Sequence, residues 1–376
     1  MDYALCSLTS LAELFDDRIV YRNLVPADER VPPFAAWKEP LGLEGSALPR
    51  KAEPTYGRVV AEMLRHARRL DLPGTEIERL IYIGDTKLND GTAFRNLCAA
   101  GPWQGWAFIG RDDMQAPSQF EAGDGLYVAN RWSALADFVS FLEEQRFAVD
   151  EATAVVIDVD KTAVGARGRN DKVIDEARVE AVERTVASLL GSDFDKVAFR
   201  TAYDHLNQPA YHTFTADNQD YLAYICLMLG AGLVRFAALL DEIEAGTMRT
   251  FGDFLAVSHS RRSALAGTGL LSVHDEVWAC VQRQDPTPFK AFRYQEYQTT
   301  AARFGDLPGG SVGEVLGQRI VITQEVREAA AALRARGALL FGVSDKPDEA
   351  SLPNPAQVAQ GYKPLHRLQT LAVGTR

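Results

Sequence analysis

The sequence predicts an α/β protein: a parallel sheet covered by helices, interrupted by a large, mainly α-helical insertion. Three observations carry this. Continuous apolar runs at 80–83, 154–157 and 338–343 have strand length and no polar alternation, the pattern of strands buried on both faces. Helical periodicities lie between the strand-like runs, which gives the α/β rhythm. From about 174 to 309 the strand-like runs stop, and long stretches rich in Ala, Leu and aromatics replace them. A chain of 376 residues exceeds the usual single-domain size, so two domains are expected.

In chain order, Leu11–Phe15 reads as a short helix and 18–21 as a short strand, followed by an irregular Pro-rich stretch over 25–49. Val59, Val60, Met63 and Leu64 lie at helical spacing within 56–70, with Arg and His between them, and Pro73-Gly74 supplies a stop. The strand at 80–83 ends in Gly84-Asp85, and a helix is expected over 91–100. Strands at 106–109 and Leu126–Ala129 precede a helix over Ala134–Glu144, then the strand at 154–157. Helical segments are expected at 178–190, 221–240 and 311–316. The α/β rhythm returns with a helix at 324–336, the strand at 338–343, and an amphipathic segment at 365–371. No internal repeat or low-complexity tract interrupts this order.

Composition narrows the function. With 47% hydrophobic and 24% charged residues the chain reads as globular, and its net charge of −11 argues against a nonspecific nucleic-acid surface. A nucleotide or a strand end remains open as a substrate, and the sequence leaves oligomeric state undetermined. Cys6, Cys98, Cys226 and Cys280 are far apart and form no CxxC pair, so reduced thiols and a cytoplasmic setting are expected. The start, Met1-Asp2-Tyr3, lacks the basic flank and apolar core of a signal peptide. The apolar stretch 221–240 contains Arg235 and is interrupted by Gly230 and Gly232, which favours a buried helix, broken at the glycines, over a membrane span. The six histidines show no HxxxH spacing, so zinc is not expected, and structural roles are favoured for His205, His212, His259 and His274.

The chemistry concentrates at strand ends. Asp158-Val159-Asp160-Lys161-Thr162 closes the 154–157 run, and two carboxylates two residues apart there can bind a metal and attack phosphorus. Gly84-Asp85-Thr86-Lys87-Leu88-Asn89-Asp90 closes another strand, and Ser344 a third. Each pattern alone is weak, since Asp pairs cap helices and Gly-Asp makes ordinary turns. Three of them, each after a buried strand, are hard to attribute to chance.

Together these motifs resemble those of the haloacid dehalogenase (HAD) superfamily phosphatases. Asp158–Thr162 matches the DxDxT signature, Asp85 and Asp90 the metal-binding one, and Ser344 the Ser/Thr one. Their order along the chain departs from the family's and suggests a circularly permuted, Rossmann-like HAD core over 1–163 and 318–376. Residues 1–50 would then supply the strand that normally follows the Ser motif. The resemblance implies a helical cap over 164–317, inserted where the family carries a cap that closes over small substrates.

It further implies Asp158 as nucleophile, forming an aspartyl phosphate, and Asp160 as general acid and then base. Mg²⁺ is the implied cofactor, on Asp158, Asp85 and the Asp160 carbonyl, with Asp90 in the outer shell or reaching the ion through water. Ser344 and a Lys would bind the phosphate. Lys51 is the choice and Lys363 the alternative, with Lys346 beside the site. Thr162 would anchor the loop and contribute to phosphate binding. Gly165 and Gly168 suit a hinge, and Arg167 and Arg169 either contact substrate or lie in solvent. The expected function is Mg²⁺-dependent hydrolysis of a small phosphomonoester. A phosphotransferase or phosphomutase with the same intermediate, and a non-catalytic binding protein on this scaffold, are the alternatives.

Overall fold

A computed structural model describes residues 2–43, 45 and 47–375. In chain order its strands are β1 (Tyr3–Thr9), β2 (Ile19–Val20), β3 (Arg79–Gly84), β4 (Gln104–Gly110), β5 (Phe120–Gly123), β6 (Leu126–Ala129), β7 (Thr153–Asp158), β8 (Ile322–Thr323), β9 (Leu339–Val343) and β10 (Thr370–Thr375). Seven of them form one sheet in the order β2-β9-β7-β3-β4-β6-β5, parallel throughout except for the antiparallel edge strand β5.

Both faces of this sheet are buried, which is why its central strands read as unbroken apolar runs. Successive side chains alternate between faces. Leu80, Tyr82, Ala154, Val156, Leu339 and Phe341 pack with Tyr56, Val59, Val60, Met63 and Leu64 of the helix Pro54–Asp71. Ile81, Ile83, Val155, Ile157 and Leu340 pack instead with Phe138 and Leu142 of the helix Ala134–Glu144, and with Val326 and Leu333 of the helix Gln324–Ala335. The expected α/β architecture with a mostly parallel, Rossmann-like sheet is therefore present.

The register sets the ends of the central strands level. Ile157 pairs with Ile83 on one side and Gly342 on the other, and Asp158 pairs with Val343. β2 lies beside β9, with Val20 opposite Val343.

A second, smaller sheet was not anticipated. β10 pairs antiparallel with β1, Tyr3 opposite Thr375, and parallel with β8. The segment expected as amphipathic at 365–371 is a single 3-10 turn, Leu365–Arg367, that leads into β10. Leu371 and Val373 pack against Val315 and Val321, a tertiary partnership that local periodicity does not encode.

The chain divides into two compact units, residues 1–176 with 300–376, and residues 177–299, rather than at 163 and 318. Among its described residues the second unit is helical, with its own core around Tyr224, Phe254, Phe289 and Phe292. The apolar stretch 221–240 is two helices, Gln219–Gly230 and Phe236–Glu244, separated at Gly232, whose φ is +69°. No helix among the described residues is long and apolar enough to cross a membrane. Tyr203, Phe214, Phe292 and Tyr297 are buried core residues. His274 is buried and hydrogen-bonded to Tyr224 and His259, and His205 to Tyr211, all structural contacts.

Candidate active site

Three neighbouring parallel strands end at one place. β7 ends on Asp158, β3 is followed by Asp85, and β9 by Ser344. The C-terminal edge of a parallel sheet is where open α/β proteins bind ligands, because loops diverge there and leave a crevice.

Lys51 enters from the segment before the helix Pro54–Asp71 and is only 4% exposed. Its Nζ lies 2.5 Å from Asp158 Oδ1 and 2.7 Å from Asp90 Oδ1. Lys363 is exposed, on the segment preceding Leu365. Of the two lysines, the fold brings Lys51 to the carboxylates.

Asp90 is the most heavily bonded acid of the group. Oδ1 accepts from Lys51 and from Tyr82 Oη at 3.0 Å, and Oδ2 accepts from the Asp85 and Thr86 amides and the Thr86 hydroxyl. The Gly-Asp-x4-Asp spacing follows from this turn. A Cβ at Gly84 would fall 2.6 Å from Asp90 Cβ and Cγ, so only glycine lets that carboxylate fold back onto the turn.

The loop after β7 is held just as closely. Lys161 takes a left-handed φ of +63°, Ala163 N donates to Asp158 O, and Thr323 Oγ1 donates to Thr162 O. Thr162 is fully buried, and its hydroxyl donates to Asp158 Oδ2 at 2.8 Å. Its proton is directed at that carboxylate, so Thr162 positions Asp158.

Asp160 is half-buried, and its carboxylate is bonded to Ser344. Ser344 Oγ donates to Asp160 Oδ2 at 2.5 Å and accepts from Lys346 N at 3.0 Å. In contrast, Asp85, Asp90 and Asp158 each offer an oxygen within 4.8 Å of the others, a group that could hold one metal ion. The Asp160 carboxylate is outside that group.

Neither reading of the two arginines holds for both. Arg167 Nε donates to Asp85 Oδ2, a contact that sequence reasoning missed. Gly168 makes this path possible: at φ +80°, a Cβ there would lie 1.9 Å from Asp112 O. Arg169 points away from the acids and is completely buried between Asp112 and Glu325. Tyr82 and Thr86 were also missed. The hydroxyl of Tyr82, inside an otherwise aliphatic strand, was the available signal, since a buried phenol needs a partner.

Electrostatics follow from packing these charges under cover. Burial pushes Asp85 up to about 7, and the Asp90 charge adds to this against the pull of Arg167. Burial also raises Asp158 well above the usual carboxylate range, Lys51 opposing and Asp90 and Asp85 reinforcing. Burial would raise Asp90 too, but Lys51 and the turn amides hold it low. Burial disfavours the Lys51 charge, yet Asp158, Tyr82 and Asp90 keep it firmly protonated. Three carboxylates meeting here give a site made of oxygen donors, the ligand type that suits a hard divalent ion.

Comparison with protein-family models, curated proteins and solved structures gives no match to this chain. The site is therefore read from its geometry.

Proposed function

We propose that this protein is a Mg²⁺-dependent phosphatase of the HAD type, acting on a small phosphomonoester through an aspartyl phosphate on Asp158. The observation that carries the reading is the convergence of Asp158, Asp85 and Ser344 from three adjacent strand ends, with Lys51 on Asp158. β2, from the first fifty residues, lies beside β9 where a permuted core requires its next strand, and β1 meets β10. Both pairings support the permuted arrangement.

Asp85 and Asp158 fit Mg²⁺ as carboxylate ligands, with the Asp160 carbonyl implied by the family resemblance. Asp90, its oxygens already occupied, supports them from behind or through water. When bound, Mg²⁺ would neutralise phosphate oxygens and draw them toward the attacking carboxylate.

The chain's own residues do the rest. An Asp158 oxygen attacks phosphorus while the ester P–O bond breaks, and Asp160 gives its proton to the departing alkoxide. Water then attacks the acyl phosphate, Asp160 takes the water's proton, and Asp158 is released as carboxylate. Lys51 holds positive charge beside Asp158 throughout, and Ser344 fixes the orientation of Asp160.

The test is phosphate release from a panel of phosphomonoesters, with and without Mg²⁺, for wild type and Asp158→Asn. Mg²⁺-dependent release that Asp158→Asn abolishes is the expected result. Release that survives Asp158→Asn sinks the nucleophile, and no release by folded, Mg²⁺-supplied protein favours a transferase or a binding role.

A further inference from the structure

Lys51 and Arg167 are held to the acids in different ways. Lys51 bridges Asp158 and Asp90 and is 4% exposed. Arg167 has one side-chain bond, Nε to Asp85 Oδ2, and its guanidinium has no other hydrogen-bond or ion-pair partner among the described residues. The Arg167 side chain is 36% exposed, that of Asp85 only 7%. Its backbone, in contrast, is fixed on both sides. Arg167 N donates to Lys161 O at 2.8 Å, and Arg167 O accepts from Asp112 N at 2.9 Å and from Trp132 Nε1 at 3.2 Å. The guanidinium thus has a rigid pivot, one bond to break and access to solvent.

A divalent ion shared by Asp85, Asp90 and Asp158 competes with that bond. The acid oxygens lie within 4.8 Å of one another, so the ion would sit a few ångströms from a cation on the same Asp85 carboxylate. Positive charges that close, away from bulk water, repel strongly. We infer that Arg167 gives up Asp85 when Mg²⁺ binds and then takes the phosphate of the substrate as a further ligand. This rests on the phosphatase reading, which puts the phosphate between Asp158 and the ion. That position is a short swing from Asp85, and a guanidinium presents paired N–H groups that match phosphate oxygens. Ion and phosphate then bind cooperatively, because the ion that displaces Arg167 also releases a donor for the phosphate. Lys51, buried between two carboxylates, has no such freedom.

Mg²⁺ and inorganic phosphate test this without turnover. The Arg167 Nε–H signal in NMR is assigned by its absence from Arg167→Lys. Its exchange with water is expected to speed up when Mg²⁺ is added and to slow again when phosphate follows. By calorimetry, Mg²⁺-saturated Arg167→Ala should bind phosphate about tenfold more weakly than Mg²⁺-saturated wild type. Undiminished Mg²⁺ binding by the same variant shows that its acids still assemble. Exchange that saturating Mg²⁺ leaves unchanged, equal phosphate affinity in the two proteins, or weakened Mg²⁺ binding by the variant overturns the inference. The phosphatase reading fails separately. Arg167 exchange in a protein that hydrolyses no ester removes only the hydrolysis, whereas Asp158-dependent hydrolysis with equal phosphate affinities removes only the exchange.

Discussion

Lys51 Nζ stands 2.5 Å from Asp158 Oδ1, both side chains less than a tenth exposed. A buried ammonium in that position lets Asp158 and Asp90 face each other inside the protein. On the proposed phosphatase reading, it also supplies the fixed positive charge for an incoming phosphate.

Lys51→Met should therefore damage both stability and activity. Removing one partner of a buried ion pair costs about 3–5 kcal/mol, because the remaining charge has no counterion or must take a proton. Phosphate release from the best ester should fall about 100- to 1,000-fold, the usual effect of losing one preorganised charge-stabilising group. Urea midpoints and steady-state kinetics read the two effects. Full activity in a destabilised Lys51→Met protein would reduce Lys51 to a structural counterion.

The parts legible in sequence are those whose signal is local. β3, β7 and β9 are buried on both faces, so their apolar runs survive any tertiary detail, and the residues after them mark the site. β8 has only two residues, and β1 and β10, though as long as the central strands, gain their stability by pairing across the length of the chain, which no local pattern encodes. Lys51 could be placed only through the family resemblance, since nothing local separates it from Lys363. The roles of Thr162 and Arg167 depend on where one hydroxyl and one guanidinium turn inside a loop with left-handed residues at Lys161, Gly165 and Gly168. Spacing does not encode those directions.

Arg167 offsets the charge of Asp85 through a contact at the edge of the site, its own side chain 36% exposed. Removing it leaves the carboxylate group more negative and frees an Asp85 oxygen. Arg167→Ala should bind Mg²⁺ about three- to fivefold more tightly at pH 8, a modest gain because solvent screens a half-exposed pair. Calorimetric titration with Mg²⁺ measures this directly. Weaker binding in Arg167→Ala would mean that the arginine organises Asp85 for the ion instead of competing with it.

Arg169 makes the pH prediction. Its buried guanidinium donates to Asp112 Oδ2 at 2.8 Å, to both Glu325 oxygens at 2.9 Å and to Val373 O at 2.9 Å. Tyr3 Oη donates to the same Asp112, and Thr375 N to the same Glu325, so this one cluster fastens β1 and β10 to the loop after β7. Burial alone would raise Glu325, but the Arg169 hydrogen bonds and charge hold it below the ordinary glutamate value. A depressed folded pKa means that the unfolded chain binds the proton first. The contribution of Glu325 is then complete above about pH 4.3 and is lost as pH falls through the folded value. Glu325→Gln should cost about 3–5 kcal/mol near neutrality, since it leaves Arg169 short of a charge partner. It should also flatten the acid limb by up to one proton, about 1.4 kcal/mol per pH unit. Urea midpoints between pH 3 and pH 7 for the two proteins check both statements. Parallel acid limbs would show that the folded pKa of Glu325 is not depressed, and that Asp112 alone balances Arg169.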